Sequence, residues 1–272
     1  MEKIMKYLKL TTLLFLLVGT NLQVNAENTE AANSAEDKGL QISKTSKEKN
    51  LGWQDTESEM EMILKNRHGE TSNRQMRIKS LEQENDGDKS LTIFDSPRDV
   101  AGTAFLSFSH PTADDEQWLY LPQLKRVKRI SSSNKSGSFM GSEFSFEDLT
   151  SFEVEKFTYK YIKDETVDGL DAFVVEQYPV DKYSGYTKRV VWIDKAEYRS
   201  LKIDFYDRKN TLLKTLTFKD YKQYIEKYWR AHTLEMINHQ NGKSTVINWK
   251  NYKFQQGLDD SDFNKNALKR AR

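Results

Sequence analysis

From Glu57 onward the chain alternates between apolar and polar positions. Met60, Met62 and Leu64 fall on one side and Glu59 and Glu61 on the other, the period-two pattern of a strand with one buried face. The same alternation returns in Arg74-Gln75-Met76-Arg77-Ile78, Leu91-Thr92-Ile93, Phe157-Thr158-Tyr159-Lys160-Tyr161 and Leu201-Lys202-Ile203-Asp204-Phe205. Asp168-Gly169 and Asn241-Gly242 are tight-turn dipeptides, so consecutive strands are predicted to pair antiparallel. The pattern predicts about ten or eleven strands.

Helical spacing is scarce. It shows weakly around Leu40, Ile42 and Leu51, in a short piece from Glu143 to Phe152, and in a C-terminal piece opened by Ser261 or Asp262 and closing on Lys269-Arg270-Arg272. Many strands with few helices predict a mainly β fold, a sheet curled over a small helical layer, and exclude alternating βαβ units. Trp118-Leu119-Tyr120-Leu121, Phe173-Val174-Val175 and Val190-Val191-Trp192-Ile193 are apolar on both faces. There the sheet must be covered on both sides or line a cavity on one of them.

The N-terminus changes the picture. Lys3, Lys6 and Lys9 precede or open an apolar run from Leu10 to Val18, and Val24-Asn25-Ala26 has the form of a signal-peptidase site. Residues 1–26 are therefore expected to be a cleaved signal peptide. The apolar run is too short for a membrane span, which needs about 20 residues. Residues 27–37 lack an apolar face and read as a disordered leader. Residues 38–272 read as one domain, because no Pro/Gly/Ser-rich linker divides them. The chain has no cysteine, which excludes an acylated-cysteine anchor, disulfides and thiolate chemistry. The formal charge of +1 becomes −1 once three lysines and one glutamate leave with residues 1–26. Nothing in that balance attracts nucleic acid.

Catalytic and metal-binding patterns fail one after another. Gly242-Lys243-Ser244-Thr245 resembles the end of a phosphate-binding loop, but Ile237 stands where the first glycine belongs and no helix follows. His68, His110, His232 and His239 form no close ligand pair, and the last two are an odd number apart in one extended segment, on opposite strand faces. Asp259, Asp260 and Asp262 lack the glycine and distal glutamate of a calcium loop. No serine sits in a nucleophile elbow. No metal, cofactor or catalytic group is assigned, and the chain reads as non-enzymatic.

Two segments suggest contact with a surface or a guest. Arg126, Lys128 and Arg129 interleave with Val127 and Ile130, a pattern that docks an anionic headgroup or a partner or protects a charged edge strand. Phe139 and Met140 sit in the Ser-, Asn- and Gly-rich loop that follows, placed to cover a mouth.

The blocks Pro97-Arg98-Asp99-Val100-Ala101-Gly102-Thr103, Trp118-Leu119-Tyr120-Leu121-Pro122, Arg126 to Leu149, Ser184 to Asp194 and Trp229 to Thr245 carry a resemblance. From Trp53 to the C-terminus the chain resembles the periplasmic LolA-like family of outer membrane lipoprotein-sorting proteins, in the branch linked with RND-type (MMPL-like) transporters. The resemblance implies a half-open antiparallel β-barrel of the LolA/LolB kind, lidded by helices, whose apolar concave face receives acyl chains of a lipid or lipoprotein. It also implies a periplasmic location, an inner-membrane exporter of the RND/MMPL or ABC type as donor, and an outer-membrane acceptor.

Alternation alone nominates Met60, Met62, Met76, Ile78, Leu91, Ile93, Leu201, Ile203 and Phe205 as the cavity lining, with flexible methionines suited to an adaptable guest. The alternative for each is packing against a permanent helix. Two rival functions stand beside the carrier: a periplasmic sensor domain that binds lipids or lipoproteins and signals to a membrane partner, and a lipid hydrolase, which the missing catalytic groups disfavour.

Overall fold

The computed structural model describes residues 34–270; the expected signal peptide over residues 1–26 and residues 27–33 of the expected leader lie outside the described residues. A helix over residues 34–49, α1, takes in the last four positions of that leader. The strands follow as β1 Asp55–Lys65, β2 Thr71–Leu81, β3 Lys89–Ser96, β4 Ala104–Phe108, β5 Glu116–Leu121, β6 Arg126–Ile130, β7 Phe157–Val167, β8 Leu170–Pro179, β9 Tyr186–Asp194, β10 Ser200–Asp207, β11 Leu212–Tyr224, β12 Tyr228–Asn238 and β13 Ser244–Phe254. A short helix, α2, closes the chain at Lys265–Arg270.

All 13 strands form one antiparallel sheet in the order β6-β5-β4-β3-β2-β1-β13-β12-β11-β10-β9-β8-β7, two or three more strands than the alternation predicted. The short strands β4, β5 and β6, at most six residues each, account for part of the difference. Every neighbour in the sheet except the β1–β13 pair is also a neighbour in sequence. The Asp168-Gly169 turn joins β7 to β8 with φ of 49° and 82°, the left-handed pair that a two-residue hairpin requires.

Residues from both ends of the sheet meet in one buried cluster: Ile130 of β6 and Phe105 of β4 share it with Tyr159 of β7 and Val175 of β8. Only a strongly curled sheet brings them together, yet β6 and β7 do not pair. The barrel stays open.

The connection between those edges, residues 131–156, packs into the concave side. The piece predicted as a helix from Glu143 to Phe152 forms only a 3-10 turn at Phe146–Leu149, fixed by a capping box between Ser145 and Asp148. Phe139 packs its ring 5.1 Å from Phe105, 5.8 Å from Phe146 and 5.9 Å from Phe94. Burying a side chain of this size is worth about 1.5–3 kcal/mol. A buried ion pair tethers the connection to the sheet: Lys214 Nζ lies 2.6 Å from Asp148 and donates to the Glu143 carbonyl at 2.8 Å.

α1 lies on the edge strand β7. A Cβ added at Gly39 would meet the Tyr161 backbone nitrogen at 2.7 Å, so the helix approaches this closely because the residue is glycine. Ile42 joins the concave cluster. Ser46 donates to the Tyr198 carbonyl, and Lys47 pairs with Glu153 at 3.1 Å.

The convex side is covered differently. Phe263 and Leu268, from the C-terminal segment, pack on Leu91, Ile93, Ala104, Leu106 and Trp118. A second convex cluster joins Ala172, Val174, Val190, Trp192 and Leu201. The segments apolar on both faces are thereby explained: in β9, Val190 and Trp192 face out while Val191 and Ile193 face in.

Candidate functional site

Between the curled sheet, α1 and the 131–156 connection lies a cavity of about 920 Å³, near the top of the ~300–1,000 Å³ range of ligand sites. Met60, Met62, Ile78, Phe105, Ile203 and Phe205 contribute to its apolar wall. Phe139 and Phe144 enter it from the connection, and Ser43, Ser46 and Lys47 from α1. Lys49, Asn50, Glu226 and Lys227 are lining residues that are also exposed, which places an opening between the end of α1 and the β11–β12 turn.

The chemistry changes along the cavity. Around Phe139 the surroundings are aromatic and aliphatic, with Phe94, Met76 and Met236 fully buried behind the wall. Toward the opening the lining turns polar: Thr56, Ser80, Ser90 and Ser200 take the inward positions of their strands. Arg199 there is paired with Asp194 at 2.8 Å and lies over the rings of Tyr221 and Trp229, 4.7 and 4.5 Å from their centres. Burial pushes the phenols of Tyr221 and Tyr252 well above the ordinary tyrosine value, so both stay neutral. Burial likewise raises Asp88 to about 6, against the opposing pull of Lys47.

The residues nominated from the sequence separate into distinct groups. Met60, Met62, Ile78, Ile203 and Phe205 line the cavity. Met76 belongs to the same cluster but lies behind the wall. Leu91 and Ile93 are corrected to the convex face, against Phe263 and Leu268; in β3 the inward phase belongs to Ser90, Thr92 and Phe94. Leu201 is also convex. Opposite it the β9 register slips, with Ser200 facing Ile193 and Lys202 facing Trp192, and a bulge of this kind turns the extra residue away from its alternation.

Phe139 is corrected from a mouth cover to part of the interior packing, only 2% exposed. Met140 beside it is half-buried, and its carbonyl accepts from Arg74. Arg126, Lys128 and Arg129 stand exposed on the edge strand β6, away from the cavity, with Arg129 3.3 Å from Glu116.

The sequence reading passed over Arg189, which lines the cavity. Its signal was present: Arg189 shares the phase of Val191 and Ile193 in β9, so alternation turns it inward with them. Among the described residues no histidine lines the cavity, and no group of three or more His, Cys, Asp or Glu is placed to hold a metal ion. No helix of the described residues is long and apolar enough to cross a membrane.

An open antiparallel half-barrel around an apolar cavity, with a helix along its edge, defines a LolA-like architecture. Comparison with known proteins agrees. A domain from Vibrio parahaemolyticus, named for outer membrane lipoprotein sorting, is 63% identical, with 86% of this chain and 99% of that one covered and a TM-score of 0.85. A DUF1329 family protein from Desulfovibrio piger is 32% identical over the same shares, with a TM-score of 0.82. A LolA superfamily protein from Nitrosomonas europaea, 18% identical, covers 87% of this chain and 98% of its own and shares the fold at a TM-score of 0.64. A model of a family of uncharacterized proteins matches residues 86–270. No curated protein matches the chain. The chain belongs to the DUF1329 family, and its fold is LolA-like.

Proposed function

We propose that this protein is a periplasmic carrier that takes acyl chains of a lipid or lipoprotein into the cavity and moves them between the inner and outer membranes. The observation that carries the reading is the cavity itself: about 920 Å³ walled by Met60, Met62, Ile78, Ile203 and Phe205 in a sheet whose edges never close. Such a space solves a large physical problem. At about 0.8 kcal/mol per methylene, exposing a chain of about 16 carbons to water costs on the order of 12 kcal/mol. A cavity wall that accepts most of those methylenes removes most of that cost.

Loading and release follow from the parts that cover the cavity. α1 is held to the β9–β10 turn and the 131–156 connection by few polar contacts, chiefly Ser46 to Tyr198 and Lys47 to Glu153. Breaking them, with Ile42 leaving the concave cluster, lets the helix swing from β7 and widens the entrance. The donor in this scheme is an RND/MMPL-type or ABC exporter of the inner membrane and the receiver an outer-membrane acceptor. Arg126, Lys128 and Arg129 form the docking face, because an exposed basic edge strand meets anionic headgroups or an acidic partner without obstructing the cavity.

Transfer of a fluorescent acyl lipid between donor and acceptor vesicles containing anionic phospholipid tests this. The protein is expected to raise the transfer rate, and Arg126→Glu with Lys128→Glu and Arg129→Glu to lower it while leaving lipid binding in solution intact. Transfer no faster than without protein would overturn the carrier reading.

A further inference from the structure

Arg189 is at odds with its surroundings. It projects from β9 into the concave side, between Gln177 of β8 and Phe205 of β10 in the register. Most of it is withdrawn from solvent, and it lines the cavity. One terminal nitrogen donates to Gln177 Oε1, while Nε, itself buried, has no hydrogen-bond partner. The guanidinium carbon stands 4.1 Å from the centre of the Phe157 ring and 5.9 Å from that of Phe152. Aromatic faces of this kind hold a cation in place and partly offset its lost hydration.

Buried guanidinium groups are ordinarily paired with a carboxylate, because taking the charge out of water is costly. Here the available carboxylates are taken. Asp148 is bound by Lys214 and by the Tyr186 hydroxyl, and Glu147 by Ser184 and the Gly185 N–H. Both act on Arg189 only through space, and burial holds the guanidinium below the ordinary arginine pKa. Other cations lining this cavity have their partners: Lys47, Lys89, Lys135, Lys156 and Arg199 each contact an acidic side chain, while Lys49, Lys227 and Arg230 donate to carbonyl or amide oxygens.

We infer that Arg189 is a recognition site for the anionic end of the guest, a carboxylate or phosphate oxyanion attached to an acyl chain. An oxyanion placed against Nε and the adjacent terminal nitrogen receives the parallel pair of hydrogen bonds that a guanidinium offers. The attached chain then lies along Ile203, Phe205 and Met62. This rests on the acyl-carrier reading and adds to it: the cavity selects charged amphiphiles over neutral ones of the same length.

The test compares dodecanoic acid with dodecanol by calorimetric titration at neutral pH, on the wild type and on Arg189→Met and Arg189→Lys, each checked for folding by circular dichroism. The wild type is expected to prefer the acid by about tenfold or more, the scale of a hydrogen bond to a charged group. Arg189→Met should bring the ratio of the two affinities close to one, and Arg189→Lys should restore part of it. Inorganic phosphate, which carries the charge without the chain, should bind far more weakly than the acid. Equal binding of acid and alcohol by the wild type, or a preference that survives in Arg189→Met, overturns the inference and leaves the acyl-carrier reading standing. Phosphate binding as tight as the acid overturns it in favour of a free-oxyanion site. If neither amphiphile binds the wild type, the carrier reading fails as well.

Discussion

The two faces of this sheet are built from the same kinds of side chain and end in opposite states. Ile93 on the convex face and Ile203 on the concave face are 7% and 9% exposed. Ile93 is packed in one cluster with Phe263 and with Leu268 of α2, the helix that rests on β4, β5 and β6. Ile203 is equally withdrawn from solvent but borders a cavity of about 920 Å³. Residue type therefore does not make the room. The cover does: a short helix follows the convex surface closely, while α1 and the 131–156 connection enter the concave side without filling it.

The largest effect on that contrast comes from cutting the tether of the concave cover. Lys214 and Asp148 have side chains only 4% and 6% exposed. Removing one partner of a buried pair costs about 3–5 kcal/mol, because the other charge stays behind unpaired. Lys214→Met should lower stability by that amount in urea unfolding, with the 131–156 connection losing its protection from hydrogen exchange first.

A matched pair of enlargements sharpens the comparison. Ile93→Trp overfills a packed interface and should cost about 1–3 kcal/mol. Ile203→Trp has room to enter and should cost less than about 1 kcal/mol, while occupying space that an acyl chain needs. Thermal unfolding of both, with acyl-lipid uptake by Ile203→Trp, checks this. Equal destabilisation by the two would mean that the concave face is filled as tightly as the convex one.

A smaller effect concerns pH. Burial raises Asp88 from its ordinary value to about 6, so the folded protein holds this proton more tightly than the unfolded chain does. The ionised form then weakens the fold: the cost is absent below about pH 4, grows as pH rises, and is complete above about pH 6. Asp88→Asn should remove that part of the slope and stabilise the protein at neutral pH by about 1–3 kcal/mol, read from unfolding curves between pH 4 and 7. The opposite sign would show that Lys47 outweighs the loss of solvation.

Much of the architecture was legible from the chain. Alternation placed Met60, Met62, Ile78, Ile203 and Phe205 on one face, and Asp168-Gly169 announced its hairpin, because strand period and turn chemistry are local properties. The misplaced residues needed information that local pattern lacks. In β3 the apolar phase is Leu91 and Ile93, with Ser90 and Thr92 between them, but alternation cannot show that here the covered face is the convex one and the concave wall turns polar. Leu201 was lost to a bulge that exists only in the pairing with β9. Phe139 lies in a loop whose polar composition reads as exposed, yet it fills the interior because the two sheet edges it connects do not join. Arg189 was legible in phase and overlooked in type, since a charge in an apolar strand is first taken as outward-facing.

The central claim is that the concave space receives an acyl chain, and native mass spectrometry of the protein purified from its own compartment tests it most directly. The wild type should carry the added mass of an acyl-bearing lipid, identifiable after extraction, and Ile203→Trp should arrive without it. A bare mass for both proteins that persists after incubation with acyl amphiphiles, or equal lipid on both, would contradict the account.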